Sequence, residues 1–176
     1  MNEADPFEKL GLQPRFDLDP AVVRRKVTRA AARLHPDRAV DPISASEQAM
    51  ELAAINEAAG HLLDDISRAE VLIRRYGGPG PSDDRTLPDG FLESMLTTRL
   101  ELEEAVAAGD ETGRASLEAW ARNEWAERRA AVAELLDGES TPSSERLGAA
   151  RLELNRWRYS QRMLEQIGSP APSTGL

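Results

Sequence analysis

His35, Pro36 and Asp37 are the one place in this sequence where an imidazole and a carboxylate flank a single residue. Such a pair has the types needed for acid and base work, but catalysis also requires a nucleophile or a metal, and a pocket to hold the substrate. The sequence supplies neither. Its other histidine, His61, lies alone in a separate segment, and there is no cysteine. The absence of thiols removes a disulfide framework, a zinc-thiolate site and a self-supplied ligand set for an iron–sulfur cluster. No catalytic residue, metal or cofactor is therefore expected, and the chain is not read as an enzyme. A second reading is a helix stop: Pro36 has no N–H and drives His35 out of the helical region. That explains the proline but not its neighbours. A third reading explains more. A carboxylate on a stiff turn beside a basic helix presents opposite charges in fixed geometry, which suits docking to a charged partner.

The elements that must position these residues are helical. Ala, Leu, Glu and Arg are abundant, aromatics are 5% and β-branched runs are missing, so an all-α chain is expected. Asp5 and Pro6 open a short helix that Gly11 closes. Asp19 and Pro20 open a second, with Val23, Val27, Ala30 and Leu34 on one face and Arg25, Arg29 and Arg33 opposite. A third spans roughly 44–63, with Leu52, Ile55, Ala59 and Leu62 on one side, and a fourth runs from 67 to 76.

The run GGPGPSDDRTLP at 77–88 reads as a turn-rich linker between two domains, 1–76 and 89–168. Beyond it three helical segments, about 88–108, 111–136 and 143–167, with short connections, predict an antiparallel three-helix bundle. Residues 169–176 read as a flexible tail. Trp120, Trp125 and Trp157 read as packing residues, and Arg122, Arg128 and Arg129 as surface pairs with nearby glutamates.

Charge sharpens the docking reading. The net charge is −9, which argues against nucleic acid as a partner of the whole molecule. Residues 20–40 nevertheless carry six basic groups against one acid, leaving about −14 elsewhere. No stretch approaches the roughly 20 apolar residues that span a bilayer, and the first ten residues have no signal-peptide pattern, so a soluble cytoplasmic protein is expected.

The first helix of the second half bears two apolar rows. Phe91, Met95, Thr98, Leu102 and Ala105 form a core-facing stripe, while Leu92, Leu96 and Leu100 lie about 100° round the helix. A three-helix bundle does not need both. Either the second row packs under the first half or it is an exposed strip that binds a partner.

The order PFEKLGL, basic helix, HPD, INEA resembles the J-domain of co-chaperones that stimulate DnaK-type ATPase chaperones. LGLQPRFDLD, LLDDISRAEVLIRRYG and FLESMLTTRLELEEA narrow the resemblance, which covers about residues 5–167, to the HscB family of iron–sulfur cluster assembly co-chaperones. The resemblance implies that His35, Pro36 and Asp37 engage an HscA/DnaK-type chaperone and trigger its ATP hydrolysis. Arg25, Lys26, Arg29 and Arg33 would dock on an acidic surface of it. It also implies that Leu92, Leu96, Leu100, Glu104 and Tyr159 bind an IscU-type scaffold, so that the scaffold rather than this cysteine-free chain holds the cluster. With neither the family's cysteine-based N-terminal module nor a mitochondrial presequence read here, a bacterial type is expected. Glu93 stands where the family has an apolar residue, Thr97 and Leu100 where it has glutamates, and Asp65 and Val71 where proline and tyrosine are common. Two other readings compete: a J-protein for a different client, and a structural helical protein that associates through its leucines and uses the proline only as a helix stop.

Overall fold

The computed structural model describes residues 5–35, 41–138 and 141–168, and among these residues every regular element is a helix. Pro36, Asp37 and Arg38, and the expected tail at 169–176, lie outside them. The seven helices are α1 (Pro6–Leu10), α2 (Pro20–Arg33), α3 (Pro42–Leu63), α4 (Asp65–Arg75), α5 (Phe91–Ala108), α6 (Glu111–Leu136) and α7 (Ser144–Ile167). The helices α2 and α3 form the N-terminal hairpin, against which α1 packs, and α5, α6 and α7 form the C-terminal bundle.

One starting device serves all three of the first helices: an aspartate caps and a proline follows it. The carboxylates of Asp5, Asp19 and Asp41 accept backbone N–H groups of the first turn, and Pro6, Pro20 and Pro42 occupy a position where no N–H is needed. The third of these was expected to begin near Ser44. It begins two residues earlier, because Asp41 accepts the Ile43 and Ser44 N–H groups at 2.9 Å while the Ser44 hydroxyl bonds back to Asp41. Those backbone donations, led by that of Ser44, lower the Asp41 pKa from its ordinary value of 3.8. The start of α5 moves the other way, to Phe91 rather than Pro88. Gly90, at φ +73°, turns the chain into the helix where a residue with a Cβ would be strained.

A continuous core runs through both halves. Phe7, Val23, Leu62, Leu72 and Ile73 are buried on the N-terminal side and Leu147, Leu154, Trp157 and Leu164 on the C-terminal side. Phe16, from the loop between α1 and α2, joins them. It is fully buried and meets Trp157 of α7 edge-on at 6.1 Å, while Trp157 meets Trp125 of α6 edge-on at 5.3 Å. Burying a ring of this size contributes roughly 1.5–3 kcal/mol. The loop is held in place by its backbone, since Asp137 accepts the Phe16 and Asp17 N–H groups at 2.6 and 2.7 Å.

Charged side chains frame this contact. Arg68, 1% exposed, lies over the Phe16 ring, donates to the Phe16 carbonyl at 2.7 Å and pairs with Asp65. Arg129 of α6 stacks on the same ring and donates to Asp65 at 2.7 Å. Arg128 makes the expected local pair, with Glu124 at 3.6 Å, whereas Arg129 pairs with Asp65 and Asp17 instead. That face of α6 is turned toward α4 and α7, so Arg129 reaches Asp65 and Arg128 also reaches Glu153 of α7 at 2.9 Å; Arg122 pairs locally with Glu118.

The segment 77–90 is non-helical and lies along α7. Arg151 donates to the Pro79 carbonyl at 3.0 Å, and Asn155 to the carbonyls of Asp84 and Thr86 at 3.2 and 3.1 Å. Gly78 permits the close passage. A Cβ there would stand 2.8 Å from the Ile73 side chain and 3.1 Å from that of Leu147. Arg151 also forks onto both carboxylate oxygens of Glu70 in α4, at 2.6 and 2.5 Å, and Arg158 joins the same carboxylate.

Candidate partner-binding surfaces

On the N-terminal half the buried face of α2 fixes what its other face presents. Val23 and Leu34 are buried, with Val27 and Ala30 packed beside them, so Arg25 and Arg29 stand exposed on the opposite side. Arg33 is also exposed but meets Glu51 of α3 at 2.9 Å. Lys26 is half-buried, and its ammonium donates to the Gly11 carbonyl at 3.1 Å, where it caps the end of α1. The four cations expected to act together thus differ: two project freely into solvent, one spans two helices, and one is tied to α1. Lys26, Arg29 and Arg33 line a crevice of about 360 Å³ with Lys9, Gly11 and Ile55. The helix ends at Arg33 with Leu34 as its cap, so His35 stands exposed just beyond the basic face. Ile55 and Ala58 of the INEA run are buried and hold helices together, as expected of them.

On the C-terminal half α5 lies mainly against α6 and only lightly against α7. A helix seated on one neighbour covers one stripe. Leu102 is buried, and Phe91, Met95, Thr98 and Ala105 are half-buried around it. The second row remains outside. Leu92, Leu96 and Leu100 are 55%, 58% and 51% exposed, so this row does not pack beneath the N-terminal half. Spaced four residues apart, they form an apolar line about 12 Å long. Val106 is exposed further along. Glu104 is exposed too, beside a crevice between α5 and α6.

Tyr159 stands apart from the leucine line but is connected to it. It is half-buried on α7 and meets the Phe91 ring edge-on at 5.4 Å, next to the residue where the line begins. Arg162 lies over the Tyr159 ring at 5.8 Å. Among the described residues no group of three or more His, Asp or Glu side chains is arranged to hold a metal ion, and no helix is long and apolar enough to cross a membrane.

The residues that reasoning from sequence missed are those joining the halves: Phe16, Arg68, Glu70, Arg129, Asp137 and Arg151. Only Phe16 carries a local signal, as a lone aromatic in a polar stretch after Pro14.

No protein-family model matches the chain. Over 172 residues it is 28% identical to the co-chaperone protein HscB homolog of Bordetella petrii, a match that spans 96% of this chain and 97% of that protein. It is 30% identical over 145 residues to the co-chaperone protein HscB homolog of Vibrio vulnificus, covering 78% of this chain and 83% of the relative. The fold is similar to that in the crystal structure of human co-chaperone protein HscB, with a TM-score of 0.79 and 20% identity over 96% of this chain and 82% of that one.

Proposed function

The chain belongs to the HscB family of co-chaperones, and from that premise we propose that it stimulates the ATPase of an HscA/DnaK-type chaperone and delivers an IscU-type iron–sulfur scaffold to it. In this reading residues 1–76 are the J-domain, in which His35, Pro36 and Asp37 trigger hydrolysis and Arg25, Lys26, Arg29 and Arg33 steer docking. Residues 89–168 are the scaffold-binding domain, with Leu92, Leu96, Leu100, Glu104 and Tyr159 at the contact. The chain itself hydrolyses nothing and carries no cofactor.

The observation that most supports the reading is the exposed leucine line on α5. Three large apolar side chains in a row, each more than half in water, are what a partner's surface would cover. The basic face of α2 lies on the other half of the same body, so one chain can hold two partners at once. Each partner then raises the effective concentration of the other.

The test is the ATP turnover of a DnaK-type chaperone from the source organism, with this protein added and with scaffold present or absent. Turnover should rise with the protein and rise further with scaffold; no change in either case would defeat the reading. Leu92→Ala combined with Leu96→Ala should weaken scaffold binding by about one to two orders of magnitude, as for truncated anchors at an interface centre. The same variant should keep its stimulation of the chaperone in the absence of scaffold. Both side chains are exposed, so the fold should tolerate their loss. An affinity unchanged in titration calorimetry would remove α5 from the contact.

A second reading, a J-protein serving another client, is favoured by one feature. Leu100 extends the apolar line where the family pattern has a glutamate, which alters the chemistry the surface selects. Recovery of a scaffold in a pull-down from the native cell separates the two.

A further inference from the structure

We infer that the cleft beside Tyr159 receives an acidic segment of the client that docks on α5, giving the interface a charged half next to its apolar one; this rests on the client-binding reading of α5. The cleft, about 440 Å³, lies between the 77–90 segment and α7, and its wall includes Ser82, Arg85, Asn155, Arg158, Tyr159 and Arg162. No acidic residue lines it.

Its charge is the unusual feature. Glu70 reaches the rim from α4, but that single carboxylate is shared by Arg151 and Arg158. Asp83 and Asp84 are nearby on the segment, yet they face its own backbone, accepting the Gly80 and Thr86 N–H groups at 3.1 and 2.8 Å. Even with both counted, four guanidinium groups meet three carboxylates, in a chain whose net charge is −9. The face of α2, on the opposite half, is also basic.

The geometry favours a side chain brought in by a larger partner over a free anion. Arg85 and Arg162 are both exposed, and a small anion held by exposed donors alone gains little in water. The same donors contribute more once an adjoining contact excludes solvent. That contact is close. Tyr159 forms one wall of the cleft and packs on Phe91, after which the leucine line starts. The position of Arg162 over the Tyr159 ring holds its guanidinium at the mouth.

The test measures the affinity of the full chain for the IscU-type scaffold at low and high salt. R85Q with R162Q should bind about tenfold more weakly at low salt and lose most of the salt dependence, because two exposed charge contacts disappear. R85K with R162K should restore the salt dependence. L92A with L96A should weaken binding at every salt concentration while keeping the wild-type slope. Arg158 is left in place because Glu70 depends on it. If R85Q with R162Q binds like wild type while L92A with L96A is weakened, the cleft is idle and the proposal is overturned, with the α5 reading intact. If neither pair changes the affinity, the α5 reading fails and takes the proposal with it. A third result also overturns it: saturable binding of inorganic phosphate that R85Q with R162Q abolishes, with scaffold affinity unchanged, would assign the cleft to a small free anion.

Discussion

Asp37→Asn should reduce stimulation of the partner ATPase to its basal rate while leaving scaffold affinity at the wild-type value. The change keeps the shape of the side chain and removes its charge, so it isolates the electrostatic contribution. Truncating one member of a charged pair at an interface costs about 2–5 kcal/mol, which is on the order of 30-fold or more in the complex that supports hydrolysis. His35→Gln should behave similarly, because His35 stands exposed directly after the basic helix. The basic face should contribute unequally. Arg25 and Arg29 are exposed, whereas Arg33 must leave Glu51 before it can meet a partner. An exposed pair of that kind is worth about 0–1 kcal/mol, so Arg33 remains usable. Lys26 differs, since moving its ammonium also uncaps α1. Single-turnover ATP hydrolysis, read beside calorimetric scaffold binding, checks all of this. Loss of both activities in Asp37→Asn would show that the two surfaces are not separate.

The fold was legible in the sequence to a definite depth. Caps and periodicity place α1, α2, α6 and α7 almost to the residue, because an aspartate with a proline behind it, or a serine before an acidic turn, is a local device. The starts of α3, α4 and α5 slipped for the same reason, α4 beginning at Asp65 rather than at 67 because Asp64 is its cap. Ser44 resembles a cap but serves as the returning partner of Asp41, and Pro88 resembles a first-turn residue but precedes the glycine that turns the chain. The two apolar rows of α5 were also visible as rows. Whether the second row is covered was not, because a period states that a face is apolar and says nothing of how many neighbours sit on it. Packing of α5 chiefly on α6 decides that.

The contacts between the halves were the least legible. Arg129 and Asp65 are 64 residues apart and Arg151 and Glu70 are 81 apart, so no local spacing announces either pair. Asp65 illustrates the point. In the sequence it is a departure from the family pattern, and in the structure it is nearly buried and joins Arg68 to Arg129 over the Phe16 ring. Asp65 thus acts as a clasp between α4 and α6.

Glu70→Ala should have the largest effect on stability. Arg151 is buried and forks onto both oxygens of that carboxylate, and Arg158 leans on it as well. Removing the acid strips a buried guanidinium of its forked partner and leaves it the Pro79 carbonyl and the field of Asp84. Breaking a buried pair in this way costs about 3–5 kcal/mol. Domains have about 5–15 kcal/mol in total, so this is a large fraction. For a chain of this length each kcal/mol lowers Tm by roughly 2–4 °C, which predicts a fall on the order of 10 °C in calorimetry. Cutting the exposed pair with Arg33→Ala should move Tm by only about 1–2 °C, consistent with its small worth. Because α4 belongs to one half and α7 to the other, the loss should act on their junction. Glu70→Ala should therefore reduce the extra ATPase stimulation that scaffold provides more than it reduces stimulation without scaffold. Adding Arg151→Leu to Glu70→Ala removes the stranded charge and should recover much of the Tm. Recovery of Tm without recovery of the scaffold-dependent gain would assign the ion pair to orientation of the halves. An unchanged Tm in Glu70→Ala would mean that the apolar contacts of Phe16 and Trp157 hold the junction alone.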